Sequence, residues 1–176
     1  GNALETPAQI VTLTPAQQRY DLTHAKQIEF GFKGNLPNNI GQVAASWFKL
    51  VRTDLLTRDP NNPGQVIQIG EQSAKGVELG VALCPINQLC VEVNGALLDA
   101  KYDVFNEPVG GVAVSRAGNL PPNVPEKVGN LWITYKPIQD WQMGTHVRHV
   151  GKRSANNANT VWMDSYTTLG AWLTWN

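Results

Sequence analysis

Apolar and polar residues alternate along much of the chain with a period of two, the mark of a strand with one face turned from water. In residues 27–33 (QIEFGFK), Ile28, Phe30 and Phe32 fall on one side, and Glu29, Gly31 and Lys33 on the other. In residues 131–136 (LWITYK), Leu131, Ile133 and Tyr135 oppose Trp132, Thr134 and Lys136. Residues 42–52 have the length of a helix, but Trp47, Phe48, Leu50 and Val51 suit a buried strand, and strand is the prediction. Further strands are predicted at 65–70, 77–84, 89–94, 110–116, 145–150, 161–166 and 169–175, while 96–105 fits no single pattern. The strands at 77–84 and 89–94 are expected to pair around Pro85-Ile86-Asn87-Gln88, with Asn94-Gly95 forming another turn.

Between these runs lie strong loop signals. Asp59-Pro60-Asn61-Asn62-Pro63-Gly64 is almost pure turn chemistry, and Pro121, Pro122 and Pro125 cannot donate to a ladder. Residues 138–144 read as a loop carrying Trp141 and Met143, and 152–159 (KRSANNAN) as a polar turn. Residues 1–18 read as an N-terminal arm, with a short strand at 9–13 and a helical turn after Thr14. Many short strands, frequent turns and no long helix predict an all-β fold. Irregular connections favour a jelly-roll β-sandwich of about eight to ten antiparallel strands, one domain over residues 1–176.

Composition narrows the function classes. The chain has 176 residues, 42% of them hydrophobic, and its 14 basic residues balance 14 acidic ones. A neutral chain has no long-range pull toward nucleic acid or an anionic membrane. Charged residues are only 16%, below the usual quarter, so the surface leans on uncharged polar groups and suits extensive burial against partners. No apolar run approaches the ~20 residues of a membrane helix, and no membrane partner is expected. The start at Gly1 reads as a processed product or a trimmed chain. Cys84 and Cys90 face each other across a predicted hairpin. Two buried thiols are the first expectation and a disulfide the second.

Chemistry is sparse. There is no G-x-S-x-G elbow and no phosphate-binding glycine loop. Asp164-Ser165 and His149 are a coincidence of common residues, and Glu71, Glu78, Glu92 and Asp99 read as the wet face of strands. No catalytic residue, metal ligand or cofactor is expected, and the chain is not read as an enzyme. The one basic concentration holds His146, Arg148, His149, Lys152 and Arg153. It is most simply a solvated loop; Arg148, Lys152 and Arg153 are its candidate RNA contacts. Five of the six Trp lie in the last third. Core packing accounts for most of them, with sugar stacking or interface anchoring as further roles.

One passage resembles a known family. Residues 110–137 place a strand, a loop with Asn119-Leu120-Pro121-Pro122, and then Gly129-Asn130-Leu131-Trp132-Ile133-Thr134-Tyr135. This is similar to a passage in the capsid proteins of small icosahedral RNA viruses, where two late jelly-roll strands flank a variable loop. The size, 19.3 kDa, and the start at Gly1 resemble the smallest coat subunit of picorna-like plant viruses such as cheraviruses, released from a polyprotein. The resemblance implies a structural subunit of the virion that assembles with like and unlike capsid subunits around RNA. It makes Leu131, Ile133 and Tyr135 core residues, exposes the loop 119–127, and makes Pro121, Pro122, Pro125 and Trp141 candidate subunit contacts. The alternative is a carbohydrate-binding or adhesive β-sandwich, lectin-like and bacterial.

Overall fold

The structure, a computed structural model, describes residues 2–3 and 22–175. The expected strand at 9–13 and the turn after Thr14 lie outside them. The strands are β1 (Asn2–Ala3), β2 (Thr23–Asn35), β3 (Gly41–Arg58), β4 (Val66–Ile86), β5 (Leu89–Val104), β6 (Asn106–Val109), β7 (Val112–Ser115), β8 (Lys127–Ile138), β9 (Trp141–Val150), β10 (Arg153–Ser154), β11 (Trp162–Met163) and β12 (Tyr166–Trp175). Eight of them form one sheet in the order β1-β2-β3-β4-β5-β8-β9-β12, every pair antiparallel. Two small ribbons, β6–β7 and β10–β11, stand apart.

The all-β, antiparallel expectation holds. The jelly roll does not. In a jelly roll, sequential strands cross between two facing sheets. Here each long strand pairs with the next long strand, so the sheet is an up-and-down meander, and among the described residues no second large sheet lies against it.

The register sorts the side chains of this sheet. One row runs Phe30, Trp47, Val77, Leu97; another runs Val81, Val93, Leu131, Val147, Leu169. These rows belong to one face, apolar on every strand from β2 to β12. The opposite face carries Glu29, Lys33, Ser46, Glu78, Asn94, Asn130, Arg148 and Thr168. The apolar face is uncovered: Phe30 is 69% exposed and Leu169 76%. Among the described residues the buried hydrophobics are only Leu55, Leu56, Ala100, Tyr102 and Val150, in the upper parts of β3, β5 and β9. Leu131, Ile133 and Tyr135 do share a face, as the alternation predicts, but that face is the uncovered one and Tyr135 is 42% exposed. The sandwich core does not form.

The two ends of the sheet differ. At one end three connections are short: residues 36–40, the pair Asn87-Gln88 and the pair Gln139-Asp140. At the other end they are long, and the ribbons β6–β7 and β10–β11 sit there. Several strands run further than the sequence pattern suggests. Asn94-Gly95 is not a turn but the middle of β5, where Asn130 Nδ2 donates to Asn94 Oδ1 at 2.8 Å. A Cβ on Gly95 would come 3.0 Å from the Val128 carbonyl oxygen, so the glycine lets two strands approach. The ambiguous stretch 96–105 continues β5, and the supposed loop 138–144 is mostly β9. Residues 110–116 turn at Gly110 and Gly111, both with positive φ, so β7 pairs with β6 and not with β8. The strand–loop–strand unit read at 110–137 therefore spans two different sheets.

Cys84 and Cys90 are bonded, with their Cα atoms 4.1 Å apart across the β4–β5 turn. The expectation of free thiols is corrected by the tight two-residue turn, which holds the two strand ends at pairing distance. A bond across six residues closes a small loop that the hairpin already closes, so its effect is bounded. The double variant Cys84→Ser/Cys90→Ser is expected to lose about 2 kcal/mol or less. A urea titration followed by circular dichroism checks this, and the strand spectrum before the transition should be unchanged.

Candidate functional site

The polar face and the long-connection end carry the groups able to meet a ligand. On the polar face a concavity of about 800 Å³ is lined by Glu29, Lys33, Ser46, Glu78, Asn94 and Asn130. Small residues, Ala44, Gly80 and Ala96, lie between them and leave the charged groups in open space. Bulky rings on this face lie over glycines of the neighbouring strand. A Cβ on Gly144 would fall 2.6 Å from the Trp172 ring, and one on Gly76 2.9 Å from the Phe48 ring. His146 covers Gly170 in the same way. These rings thus occupy the space that a side chain at each glycine would need. Among the described residues no cluster of three or more His, Cys, Asp or Glu is placed to hold a metal ion.

Above the sheet, the two long connections are tied together by asparagine side chains. Tyr102 donates its hydroxyl to Asn157 Oδ1 at 3.0 Å, and Asn157 Nδ2 donates to Glu107 Oε1 at 3.1 Å. Glu107 also accepts from Arg116 Nε at 2.8 Å. Asn119 Nδ2 donates to the Asn157 carbonyl, and Asn159 exchanges two bonds with the backbone of Leu120. Ser154, fully buried, accepts from Asn159 Nδ2 at 3.0 Å and donates to the Asn156 carbonyl at 2.7 Å. Asn can donate and accept at once, so Asn157 links the Tyr102 hydroxyl to the Glu107 carboxylate and Asn159 links the Leu120 backbone to Ser154. Burial, and then the nearby Glu107 carboxylate, pushes the Tyr102 phenol up to about 12, so it stays a donor. At the same end His24 pairs with Asp54 at 2.9 Å. Hydrogen bonds from His24 and then from the Thr53 hydroxyl hold the exposed Asp54 carboxyl below its usual range.

The residues singled out from sequence do not converge. Arg148 lies on the polar face of β9, paired with Asn130 on one side and Thr168 on the other. Lys152 and Arg153 lie in the long connection after β9. Lys152 Nζ sits 4.7 Å from the Trp162 ring centroid, and the Arg153 guanidinium sits 5.3 Å from that of Tyr166. His149 falls on the apolar side of the sheet, bonded to Thr167. Pro121 is buried, and Pro122 and Pro125 are half-buried, in the long connection between β7 and β8. Trp141 is at the opposite end, beside Trp175 with ring centroids 6.5 Å apart. The network through Asn119, Asn157 and Asn159 escaped the sequence reading. Its signal was the density of Asn in 156–159, read there only as turn chemistry.

Residues 8–176 match the family model described as TonB dependent receptor-like, beta-barrel. The chain belongs to this family. It is 25% identical over 169 residues to a protein of Acinetobacter baumannii described as a probable TonB-dependent siderophore receptor, PiuA, covering 94% of this chain and 22% of that protein. It is 27% identical over 150 residues to the Escherichia coli ferrichrome outer membrane transporter/phage receptor, covering 83% of this chain and 19% of that protein. The crystal structure of PiuA superposes with a TM-score of 0.80 at 24% identity, covering 93% of this chain and 24% of that one. The chain therefore spans about a fifth to a quarter of the length of the relatives it matches.

Membership in the TonB-dependent receptor-like family overturns the capsid reading, together with the virion, capsid-subunit and RNA partners it implied. The lectin-like alternative finds no support in it either. The strand–loop–strand likeness rested on an apolar alternation that any strand with one dry face can write. A family of receptors agrees with the expectation that the chain is not an enzyme. The expectation of no membrane contact rested on helices; among the described residues no helix is long and apolar enough to cross a membrane, which leaves β-barrels open.

Asn157→Ala is expected to leave the Tyr102 hydroxyl buried without its partner, at a cost of about 1–3 kcal/mol. Amide exchange should accelerate in residues 116–126 and 153–163 and stay unchanged in β4 and β5. Hydrogen exchange read by mass spectrometry checks it.

Proposed function

We propose that this chain is part of the wall of a transmembrane β-barrel, in a receptor that imports a metal-chelating siderophore across a bacterial outer membrane in a TonB-dependent way. The observation that carries the proposal is the uncovered apolar face running without a break across seven long strands, opposite a polar face. Water on both faces would leave this sheet poorly stable. Lipid on the apolar face and an aqueous lumen on the other account for the pattern.

The register supports the same reading. The row Phe32, Ala45, Leu79, Gly95, Gly129, His149 begins three to four residues from the β2–β3 turn. It ends eight to nine residues from the β8–β9 turn. With the short turns at one level, this drift over four strand spacings corresponds to a lean of about 40°. Strands of membrane barrels lean about 35–45°. Aromatic residues mark both borders of the apolar band: Tyr135, Trp141 and Trp175 toward the short turns, Phe30 and Trp47 toward the long connections. In such barrels short turns face the periplasm and long loops the outside. The Cys84–Cys90 bond then lies at the periplasmic end, an oxidising compartment. The siderophore class rests on the names of the relatives, and the polar face offers Glu, Lys, Asn and Arg groups to a hydrated, polar solute.

Two measurements test this. In the whole receptor, Val93→Arg puts a cation on the apolar face and is expected to cost about 2–4 kcal/mol of stability in bilayers, while Asn94→Arg, one residue on but facing the lumen, costs much less. Unfolding in lipid vesicles compares the two, and equal costs would sink the orientation. Uptake of radiolabelled iron on a panel of siderophores should depend on this receptor and on TonB. Unchanged uptake of every siderophore after deletion of the receptor would overturn the substrate class.

A further inference from the structure

The basic concentration between His146 and Arg153 is not consumed by ion pairs within the fold. Among the described residues those pairs are His24–Asp54, Lys75–Asp99, Lys101–Asp103 and Arg116–Glu107. Arg148 and Arg153 therefore stand without an acidic partner, and Asp164, two residues before Tyr166, pairs with neither. Arg153 Nη1 is buried and has no hydrogen-bond partner among the described residues. A charged donor withdrawn from water without an acceptor is costly, so such a group marks a place where an acceptor from outside the chain fits.

Both arginines belong to the polar face. Arg148 lies in the row Asn94, Asn130, Arg148, Thr168. Tyr166 ends the row Ser46, Glu78, Ala96, Val128, Val150 and so shares that face. The Arg153 guanidinium lies 5.3 Å from the Tyr166 ring centroid. Arg148 pairs with Thr168, two residues from Tyr166, which makes Arg148 and Tyr166 diagonal neighbours about 7–8 Å apart. The length of an arginine side chain brings both guanidinium groups within reach of one phenol ring. The β10–β11 ribbon agrees. Arg153 pairs with Met163 and Ser154 with Trp162, so Arg153 and Trp162 take opposite sides. Trp162 lines a depression with Trp47, Val77 and Leu97 of the apolar face. Lys152, over the Trp162 ring, goes with it and is not part of the pair.

The surroundings leave the charge of this pair in place. Glu29, Glu78 and Glu92 of the polar face stand on β2, β4 and β5, at least two strand spacings or about 10 Å from β9. Arg148 is seven residues from the start of β9, which at the lean derived above puts it about 18 Å from the short turns. A membrane barrel's apolar band is about 25 Å tall. In the proposed barrel the pair therefore stands on the lumenal wall near its outer mouth, where a solute from outside arrives first.

We propose that Arg148 and Arg153 make the receptor selective for siderophores of net negative charge, by taking carboxylate or catecholate oxygens of the ferric complex at this mouth. The proposal deepens the siderophore-receptor reading and rests on it. That reading leaves the charge of the complex open, and two unpaired guanidinium groups on the lumenal wall decide it. Each guanidinium presents planar N–H donors that take two oxygens at once. The Tyr166 ring supports the Arg153 guanidinium without using those donors. A neutral or cationic complex gains nothing from the pair and leaves Arg153 Nη1 unbonded.

The test titrates the whole receptor in dodecyl maltoside with four ferric complexes, binding being read by isothermal titration calorimetry. They are enterobactin, an anionic tricatecholate; rhizoferrin, an anionic carboxylate; ferrichrome, a neutral trihydroxamate; and ferrioxamine B, a cationic one. At least one anionic complex is expected to bind more tightly than both trihydroxamates. Charge-assisted hydrogen bonds to one guanidinium contribute about tenfold to a hundredfold, so Arg148→Gln and Arg153→Gln should each weaken that complex by this factor. Arg153→Lys, which keeps the charge and loses the fork, should recover part of the loss. Arg148 is exposed on the wall, so its replacement tests the site without disturbing the fold, and heat-modifiable migration on gels verifies the barrel. Binding of the anionic complex by Arg148→Gln within twofold of the unaltered receptor would overturn the site. A receptor that prefers a trihydroxamate refutes only the anion selectivity and leaves the siderophore reading standing; one that binds none of the four refutes both.

Discussion

Inside hydrocarbon a backbone N–H or C=O has no water to bond, so every one must be met by another strand. In the proposed barrel the rest of this structure follows from that constraint. The long strands pair in sequence order through an unbroken antiparallel ladder, with bulges confined to the ends of the pairings and the upper part of β3. Gly95 and Gly31 lie where a Cβ would press on a neighbouring backbone, so side chains are given up where pairing needs the space. Seven long strands cannot satisfy their own outer edges. In the proposed barrel β2 and β12 meet strands of the remaining wall, and the length of the relatives leaves room for them.

With the ladder fixed, the two faces do separate work. In the proposed barrel the apolar side, chosen for bulk and apolarity, needs no jigsaw partner because lipid chains conform to it. The polar side carries small residues, spaced charges and rings laid over glycines. The region that resembles a globular core is the cap at the long-connection end. There Leu55, Leu56, Ala100, Tyr102 and Val150 are buried, and asparagines replace strand pairing as the tie between irregular segments. Rigidity in the cap and continuity in the wall arise from different bonds.

Much of the strand content was legible, and the reasons for the misses are specific. The alternation in 27–33 and 131–136 identified strands and the residues sharing a face. It could not say whether that face meets a second sheet, as in a sandwich, or lipid. Leu131, Ile133 and Tyr135 satisfy either equally. Turn chemistry misled at Asn94-Gly95, because the glycine answers a contact with β8, a strand more than thirty residues away in sequence. It misled at 138–144 because Trp141 and Met143 belong to the outer alternation of β9 once the turn shrinks to Gln139-Asp140. The polar run 152–159 is irregular apart from the two residues of β10, yet its role as a structural tie depends on Asn119 and Tyr102, which only folding brings near.

The sequence by itself determined that this is an antiparallel all-β protein, with apolar and polar residues assigned to opposite faces. Those properties depend on neighbours one or two residues apart, and the side-chain period of a strand fixes them. Only the tertiary structure decided that the strands form one meander, that the apolar face stays uncovered, and that the turns sort into a short end and a long end. These depend on which distant strands pair and in what register. The same local alternation is compatible with a dry sandwich or a wall in lipid.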